Sequence, residues 1–329
     1  MGYAKGETEF RYRVEYKEGK WQQGALTDDK YIRIHEASNV FHYGQALFEG
    51  LKAYKTKEGK IQLFRPNLNF IRINQSLRRI VAPEISEELF FEAVTSVVKA
   101  NAKDIPEYGL GQSLYIRPFV IGIGSNLGVK PSDNYLFSVF CAPVGTYFEG
   151  GLKTLDFVTT DFDRASANGT GQVKVAGNYA ASLYPRNLAL EEGYAGVIYL
   201  DPLTHTKIDE VGAANFFGVT HDNVLVTPKS SSILPSITKR SILYIAEHML
   251  GMKVEERECF IDEISEFKEA GACGTAAIIT PIGSITHKGH RHQFNTEVGP
   301  TIKKLYETLL GIYYGDIEAP EGWIREIEL

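Results

Sequence analysis

The chain has 329 residues, 43% hydrophobic and 23% charged, as in an ordinary globular protein long enough for two domains. A formal net charge of −6 argues against a nucleic-acid surface while leaving room for a local small-anion site. No apolar run reaches the ~18 residues that cross a bilayer. The start, Met1–Glu7, has neither the apolar core of a signal peptide nor a hydroxyl residue at Gly6 for myristoylation. Cys141, Cys259 and Cys273 form no Cys-x-x-Cys pair and read as reduced thiols, so a cytoplasmic protein is expected.

Residues 10–64 read as β structure. Phe10–Tyr16 alternates, Trp21 follows a Glu-Gly-Lys turn, and Tyr31–Ile34 alternates again. In Phe41-His-Tyr-Gly-Gln-Ala-Leu-Phe-Glu-Gly50, aromatic, glycine and acid residues crowd together beyond what packing requires; a buried turn with an aromatic cluster is the alternative. A helix is predicted from Arg65-Pro66 to about Ile80, with Leu68, Ile71, Leu77 and Ile80 facing a core. Arg72, at the edge of that stripe, reaches either inward to a buried anion or outward with its head in water. A second amphipathic helix is predicted over residues 84–101.

In Ser113–Gly122, alternation puts Tyr115 and Arg117 on one face, a pair suited to the edge of a carboxylate site. Gly122–Gly128 is not a dinucleotide loop, because Leu127 stands where the third glycine belongs. Tyr135–Cys141 reads as a buried strand. Ala142–Gly151 has linker composition. The expected division is therefore a small N-terminal domain over 1–145, a linker over 146–154 and a large C-terminal domain over 155–329.

The second half alternates strand and helix. Asn168-Gly-Thr-Gly-Gln-Val-Lys-Val-Ala-Gly-Asn-Tyr-Ala180 sets Lys174 between valines expected to form a short strand, with small residues on either side. A partly desolvated lysine there is the kind that forms a Schiff base; a lysine snorkelling into water is the commoner arrangement. A strand is predicted over 152–160 and a helix over 180–192. Glu210, in an otherwise apolar and small run, requires a cation or hydrogen-bond donors if buried, or faces water at a strand edge. The hydroxyl-rich loop before Ser236-Ile237-Thr238 opens a helix whose N-terminus suits a phosphate, although plain capping by Ser236 is commoner. Gly274-Thr275-Ala276 offers a second turn with free N–H groups. His287, His290 and His292 lie in a polar stretch with no acid or cysteine ligand nearby, so no metal is expected.

Several segments in order, Phe41–Tyr54, Leu114–Pro118, Lys174–Tyr179, Glu210–Asn215 and Gly274–Ala276, resemble the branched-chain amino acid aminotransferases. These are fold type IV enzymes of pyridoxal 5′-phosphate (PLP), and the resemblance runs over about residues 10–315. It implies an α/β, D-amino acid aminotransferase-like fold, with a small α/β domain, a larger domain with a β-barrel-like core, and PLP in the cleft between them. It further implies that Lys174 is the Schiff-base and catalytic lysine, that Tyr179 meets the cofactor's phenolic oxygen, and that Glu210 pairs with its ring nitrogen. Arg72, Ile237, Thr238 and Thr275 are implied to hold the phosphate. Tyr43, Tyr115, Arg117 and the Ala276 amide are implied to meet the substrate carboxylate. Phe48, Tyr179 and Tyr147, with Tyr12 beside them, are implied to line an aromatic side-chain pocket. Leu127 and Val129 would arrive from a second subunit of a homodimer or larger homo-oligomer, and Arg117 and Tyr31 would take a γ-carboxylate.

The implied reaction is transamination of L-leucine, L-isoleucine and L-valine with 2-oxoglutarate, in branched-chain amino-acid biosynthesis or its reverse. The alternatives are a D-amino acid aminotransferase or aminodeoxychorismate lyase on the same fold, and a non-catalytic PLP-binding protein. Two departures from relatives stand out. Ala277 and Thr280 replace a redox-sensitive Cys-x-x-Cys, and Ala213 replaces a substrate-contacting threonine.

Overall fold

Ser113–Ile123 and Asn134–Val144, 11 residues each, run antiparallel in unbroken register from Ser113↔Val144 to Ile123↔Asn134. They form the spine of the first of two nine-stranded sheets in this computed structural model, which describes residues 6–145, 151–294 and 296–329. Contacts divide the chain into two compact units: Met1–Thr146 with Val173–Gly177 and Ile312–Leu329, and Tyr147–Gln172 with Asn178–Gly311. The first unit therefore takes in two segments far along the chain, one of which carries Lys174.

In the first unit, alternation along Ser113–Ile123 buries Leu114, Ile116 and Val120 in a core shared with Phe137 and Val139. Two amphipathic helices, Pro66–Arg79 and Glu87–Ala100, complete that core through Ile73, Leu77, Phe90, Val94 and Val97. Pro66 opens the first of them, and the Ser86 hydroxyl caps the second by accepting the Leu89 N–H at 3.2 Å.

One break in this sheet has a chemical consequence. Ala46–Phe48 and Leu51–Lys55 both pair with Ser113–Ile123 but are interrupted at Glu49-Gly50, across from Pro118. Proline has no N–H to give on that side of the ladder; only its carbonyl pairs, accepting the Glu49 N–H at 2.7 Å. The side chain of Glu49 is fully buried at this interruption. A Cβ at Gly50 would lie 2.1 Å from the Tyr115 hydroxyl oxygen, so a larger residue there would have to displace that ring.

In the second unit, six strands close on themselves. The order is Ile208–Val211, Gly196–Leu200, Leu155–Thr160, Ile278–His287, Phe267–Gly274 and Ala214–Thr220, the last pairing back to the first. Leu155–Thr160 pairs in parallel with both neighbours, and the other pairs in the ring are antiparallel. Phe216, Phe267, Ile198, Ile285 and Leu200 fill part of its core. This is the barrel-like core expected of the larger domain. The helix Pro300–Tyr314 is capped by buried Glu269, whose carboxylate accepts the N–H groups of Thr301 and Ile302.

Four local expectations are corrected. Tyr31–Ile34 forms no strand; Tyr31 is 84% exposed, and alternation without a buried face gives a strand nothing to pack against. Phe41–Tyr43 belongs to a short helix, Asn39–Tyr43, ended by Gly44 in the left-handed conformation. Val173-Lys174-Val175 is a single-residue bridge, Val175 to Leu47, squeezed between a turn and the helix Ala176–Ala180. The helix predicted over 180–192 is confined to Leu183–Glu191.

Candidate active site

Lys174 is held by its backbone rather than by a sheet. Its N–H donates to the Ser76 hydroxyl at 3.0 Å, and its carbonyl accepts the Phe48 N–H at 3.1 Å. Ser76 in turn donates to the Arg72 carbonyl one helical turn earlier, so Arg72 and Ser76 face the same way from the helix Pro66–Arg79. The side chain of Lys174 is half-buried, with its Nζ 4.7 Å from the centroid of the Phe48 ring. Burial, followed by the neighbouring Arg72 charge, pushes its amine down to about 8; Glu49 and Tyr115 oppose this and Arg117 adds to it.

Arg72 takes the inward course. Its Nε and Nη2 lie 2.7 and 2.9 Å from the two carboxylate oxygens of Glu49, which also accepts from Asn69 at 2.7 Å. The Arg72 guanidinium keeps the Glu49 carboxyl below the usual carboxylate range against the opposing effect of burial. The carboxylate of Glu49, singled out in the sequence only as part of a crowded segment, is thus the buried anion.

Arg117 lies over the same Phe48 ring, 4.5 Å from its centroid, and donates through Nη2 to the Tyr115 hydroxyl at 3.1 Å. Its buried Nε has no hydrogen-bond partner among the described residues. Lys52 pairs with Tyr115 across the sheet, and burial pushes its amine down to about 7. Sequence reasoning gave this lysine no role. The first unit thus brings Lys174, Arg72, Phe48, Tyr115 and Arg117 together, three cations against the carboxylate of Glu49. Tyr43 donates to the Leu127 carbonyl, and Leu127 and Val129 are 78% and 88% exposed. Tyr12 is buried and donates to Glu92 at 2.8 Å, while Tyr31 stands in solvent. Tyr147 lies outside the described residues.

The second unit holds the remaining candidates. Glu210 is buried, 3% exposed, and not a strand-edge glutamate facing water. Arg164 forms an ion pair with it through Nε, and Asn215 donates to its Oε1 at 3.0 Å. Ser236 caps the helix Ile237–Tyr244 by accepting the Lys239 N–H at 3.1 Å, with Ile237 and Thr238 buried in the first turn. Thr275 and Ala276 sit in the turn between the paired ends Gly274 and Ile278. Ile278 holds a φ of 65°, a costly conformation for a β-branched residue that the surrounding strand pairing imposes. Tyr179 is half-buried in the helix Ala176–Ala180. Arg164 was missed by sequence reasoning, since nothing in Asp161-Phe-Asp-Arg164 marks it.

The histidine stretch holds no such convergence. His287 bonds Thr159 at 2.9 Å and His292 packs on Phe294. Among the described residues, no group of three or more His, Cys, Asp or Glu is placed to hold a metal ion, and no helix is long and apolar enough to cross a membrane.

A family model described as amino-transferase class IV matches residues 46–285. The chain is also 55% identical to the branched-chain-amino-acid aminotransferase of Haemophilus influenzae, across 100% of this chain and 98% of that protein. The chain belongs to the class IV aminotransferases, among the branched-chain enzymes. Among solved structures, this aminotransferase matches the branched-chain amino acid aminotransferase of Escherichia coli with a TM-score of 0.80 at 27% identity, covering 98% of this chain and 100% of that one. It matches the T.th. branched-chain amino acid aminotransferase with pyridoxamine 5′-phosphate with a TM-score of 0.82 at 26% identity, covering 96% of this chain and 98% of that one.

Proposed function

We propose that this protein is a PLP-dependent branched-chain aminotransferase, moving the amino group of L-leucine, L-isoleucine or L-valine to 2-oxoglutarate and back. The observation that carries the reading is Lys174: an amine brought down to about 8, fixed at both backbone groups and flanked by two arginines. Such an amine is nucleophilic near neutral pH.

The donor set suits PLP. Arg72 supplies a guanidinium for the phosphate, and the start of the helix Ile237–Tyr244 and Thr275 supply N–H and hydroxyl donors. Glu210 is an anion for a protonated ring nitrogen, and Tyr179 a phenol for the ring oxygen. When bound, the cofactor supplies an electron sink for the bond to the substrate's α-hydrogen. Lys174 Nζ would hold the cofactor by its aldehyde group and would carry the substrate's α-proton. Glu210 would keep a proton on the ring nitrogen.

Tyr43, Tyr115 and the Ala276 amide orient the substrate α-carboxylate in this reading, Arg117 stands at its edge and chiefly takes the γ-carboxylate of 2-oxoglutarate and glutamate, and Phe48, Tyr147 and Tyr179 line the side-chain pocket. An aromatic pocket separates substrates differing by one methylene by only ~1–3 kcal/mol, so all three branched amino acids are accepted. The exposure of Leu127 and Val129 supports a homo-oligomer in which a second copy covers them. The small domain at 1–145, the linker at 146–154 and the large PLP-binding domain at 155–329, together with a cytoplasmic location, belong to the same proposal.

The test is a half-reaction without 2-oxoglutarate. L-leucine added to the PLP-loaded protein removes its visible band, and D-leucine leaves it. Bleaching by D-leucine alone would mark a D-amino acid enzyme, and bleaching by neither a binding protein without turnover.

A further inference from the structure

Glu210 has its own retinue, built entirely within the second unit. Arg164 engages it through Nε, and the same guanidinium uses Nη2 to donate to two backbone carbonyls, Gly171 at 3.1 Å and Ser232 at 2.9 Å. Its side chain is 8% exposed. Those two carbonyls belong to segments in close contact. A Cβ on Gly171 would lie 2.4 Å from the Ser232 oxygen, so only glycine fits. One arginine therefore ties Glu210 to the glycine loop leading to Lys174 and to the serine loop leading to the helix at Ile237.

Asn215 donates to Glu210 Oε1 at 3.0 Å and to the Leu234 carbonyl at 3.3 Å. Tyr199 stands opposite Glu210 across the strand pair, fully buried, with no hydrogen-bond partner for its hydroxyl among the described residues. Burial pushes that phenol up to about 12, so it stays protonated beside the carboxylate. The second acid nearby, Asp209, is engaged by the Ser232 hydroxyl.

We propose that Arg164 is a positioning residue for the reaction: it aims and keeps ionised the Glu210 carboxylate, so that this carboxylate pairs with a cationic ring nitrogen. A bare buried carboxylate escapes its desolvation cost by taking up a proton. A protonated Glu210 has no charge to offer a pyridinium. Arg164 removes that escape at the cost of one buried charge pair, with its Nη2 engaged by the two backbone carbonyls. The inference rests on the placement of Glu210 at the ring nitrogen proposed above.

The experiment compares the affinity of the full-length, cofactor-stripped chain for PLP and for its carbocyclic analogue with C–H in place of the ring nitrogen. Fluorescence quenching reads both dissociation constants. The wild type is expected to prefer PLP by about tenfold or more, the worth of one charge-assisted hydrogen bond. In Arg164→Gln the preference falls at least about fivefold, because PLP affinity drops and analogue affinity does not. Arg164→Lys keeps the charge without the three-way reach and falls between; if Arg164→Gln does not accumulate as folded protein, this variant carries the test. A merely structural arginine weakens both ligands equally, and an unchanged ratio in either variant overturns the inference. A wild type indifferent to the ring nitrogen removes the placement of Glu210 itself, and the inference with it.

Discussion

The guanidinium of Arg72 grips the carboxylate of Glu49 in a two-pronged fork, 2.7 Å through Nε and 2.9 Å through Nη2, with both side chains buried. The pair joins the helix Pro66–Arg79 to the sheet interruption that Pro118 creates, and it lies beside Lys174. Glu49 thus acts twice: it holds the arginine proposed for the phosphate, and its charge partly offsets the effect of the two arginines on the lysine.

Glu49→Gln leaves Arg72 buried without its counter-charge. Breaking a buried pair from one side costs about 3–5 kcal/mol, and denaturant unfolding at pH 7 is expected to show a loss of that order. Because Arg72 holds the Glu49 carboxyl below the usual range, its contribution is present above that range and fades as pH falls through it. The wild type and the variant should therefore converge in acid. A constant gap down to about pH 3 contradicts this account of the pair.

Lys174 is also shifted down, so its linkage has the same sign, in an alkaline window. In the cofactor-free chain its amine gives up its proton near 8, while the unfolded chain keeps it to the ordinary value of 10.5. The unfolded state binds more protons in that window, so stability rises with pH across it. Lys174→Met removes this gain. The melting temperature of wild type relative to Lys174→Met should climb between about pH 8 and 10.5, and a flat difference would show that the amine is not desolvated.

Arg117 is cradled by Phe48 and Tyr115, with Nε left open among the described residues. Arg117→Met should raise KM for 2-oxoglutarate and glutamate by tens-fold, about 2 kcal/mol, and that for leucine less. Equal losses on both substrates would assign it to the common α-carboxylate.

The cysteines are expected to be inert. Burial pushes Cys141 up to about 11 and Cys259 and Cys273 up to about 12, and all three are buried. A thiol-disulfide reagent should find no fast-reacting thiol in the native protein and three after unfolding. Mild peroxide should leave activity unchanged. One rapid native thiol would refute this.

Much of the fold was legible because it rests on local patterns. The helix predicted to about Ile80 ends at Arg79, and alternation placed Tyr115 beside Arg117. Lys174 was legible as a lysine among small residues, but its supposed strand was not there, because β-branched residues favour a strand only where a neighbour can pair with more than one of them. Glu210 was legible as an acid in need of partners. Its partner was not, since an arginine in an irregular loop 46 positions earlier carries no periodic signal. Glu49 and Arg72, 23 positions apart, were each noticed and never joined, as pairing across an element boundary depends on register. The closure of six strands was legible only through family resemblance, because a period of two says which face is buried and not which strand comes next.

Lys174 Nζ is the nitrogen on which the proposed chemistry depends, as the atom that takes the cofactor. Borohydride reduction of the PLP-loaded protein, followed by proteolysis and mass spectrometry, tests it most directly. The account predicts one stable phosphopyridoxyl label, on the peptide containing Lys174, lost when L-leucine is added before the reductant. A label on Lys52 or any other lysine, or none on an active preparation, would contradict it.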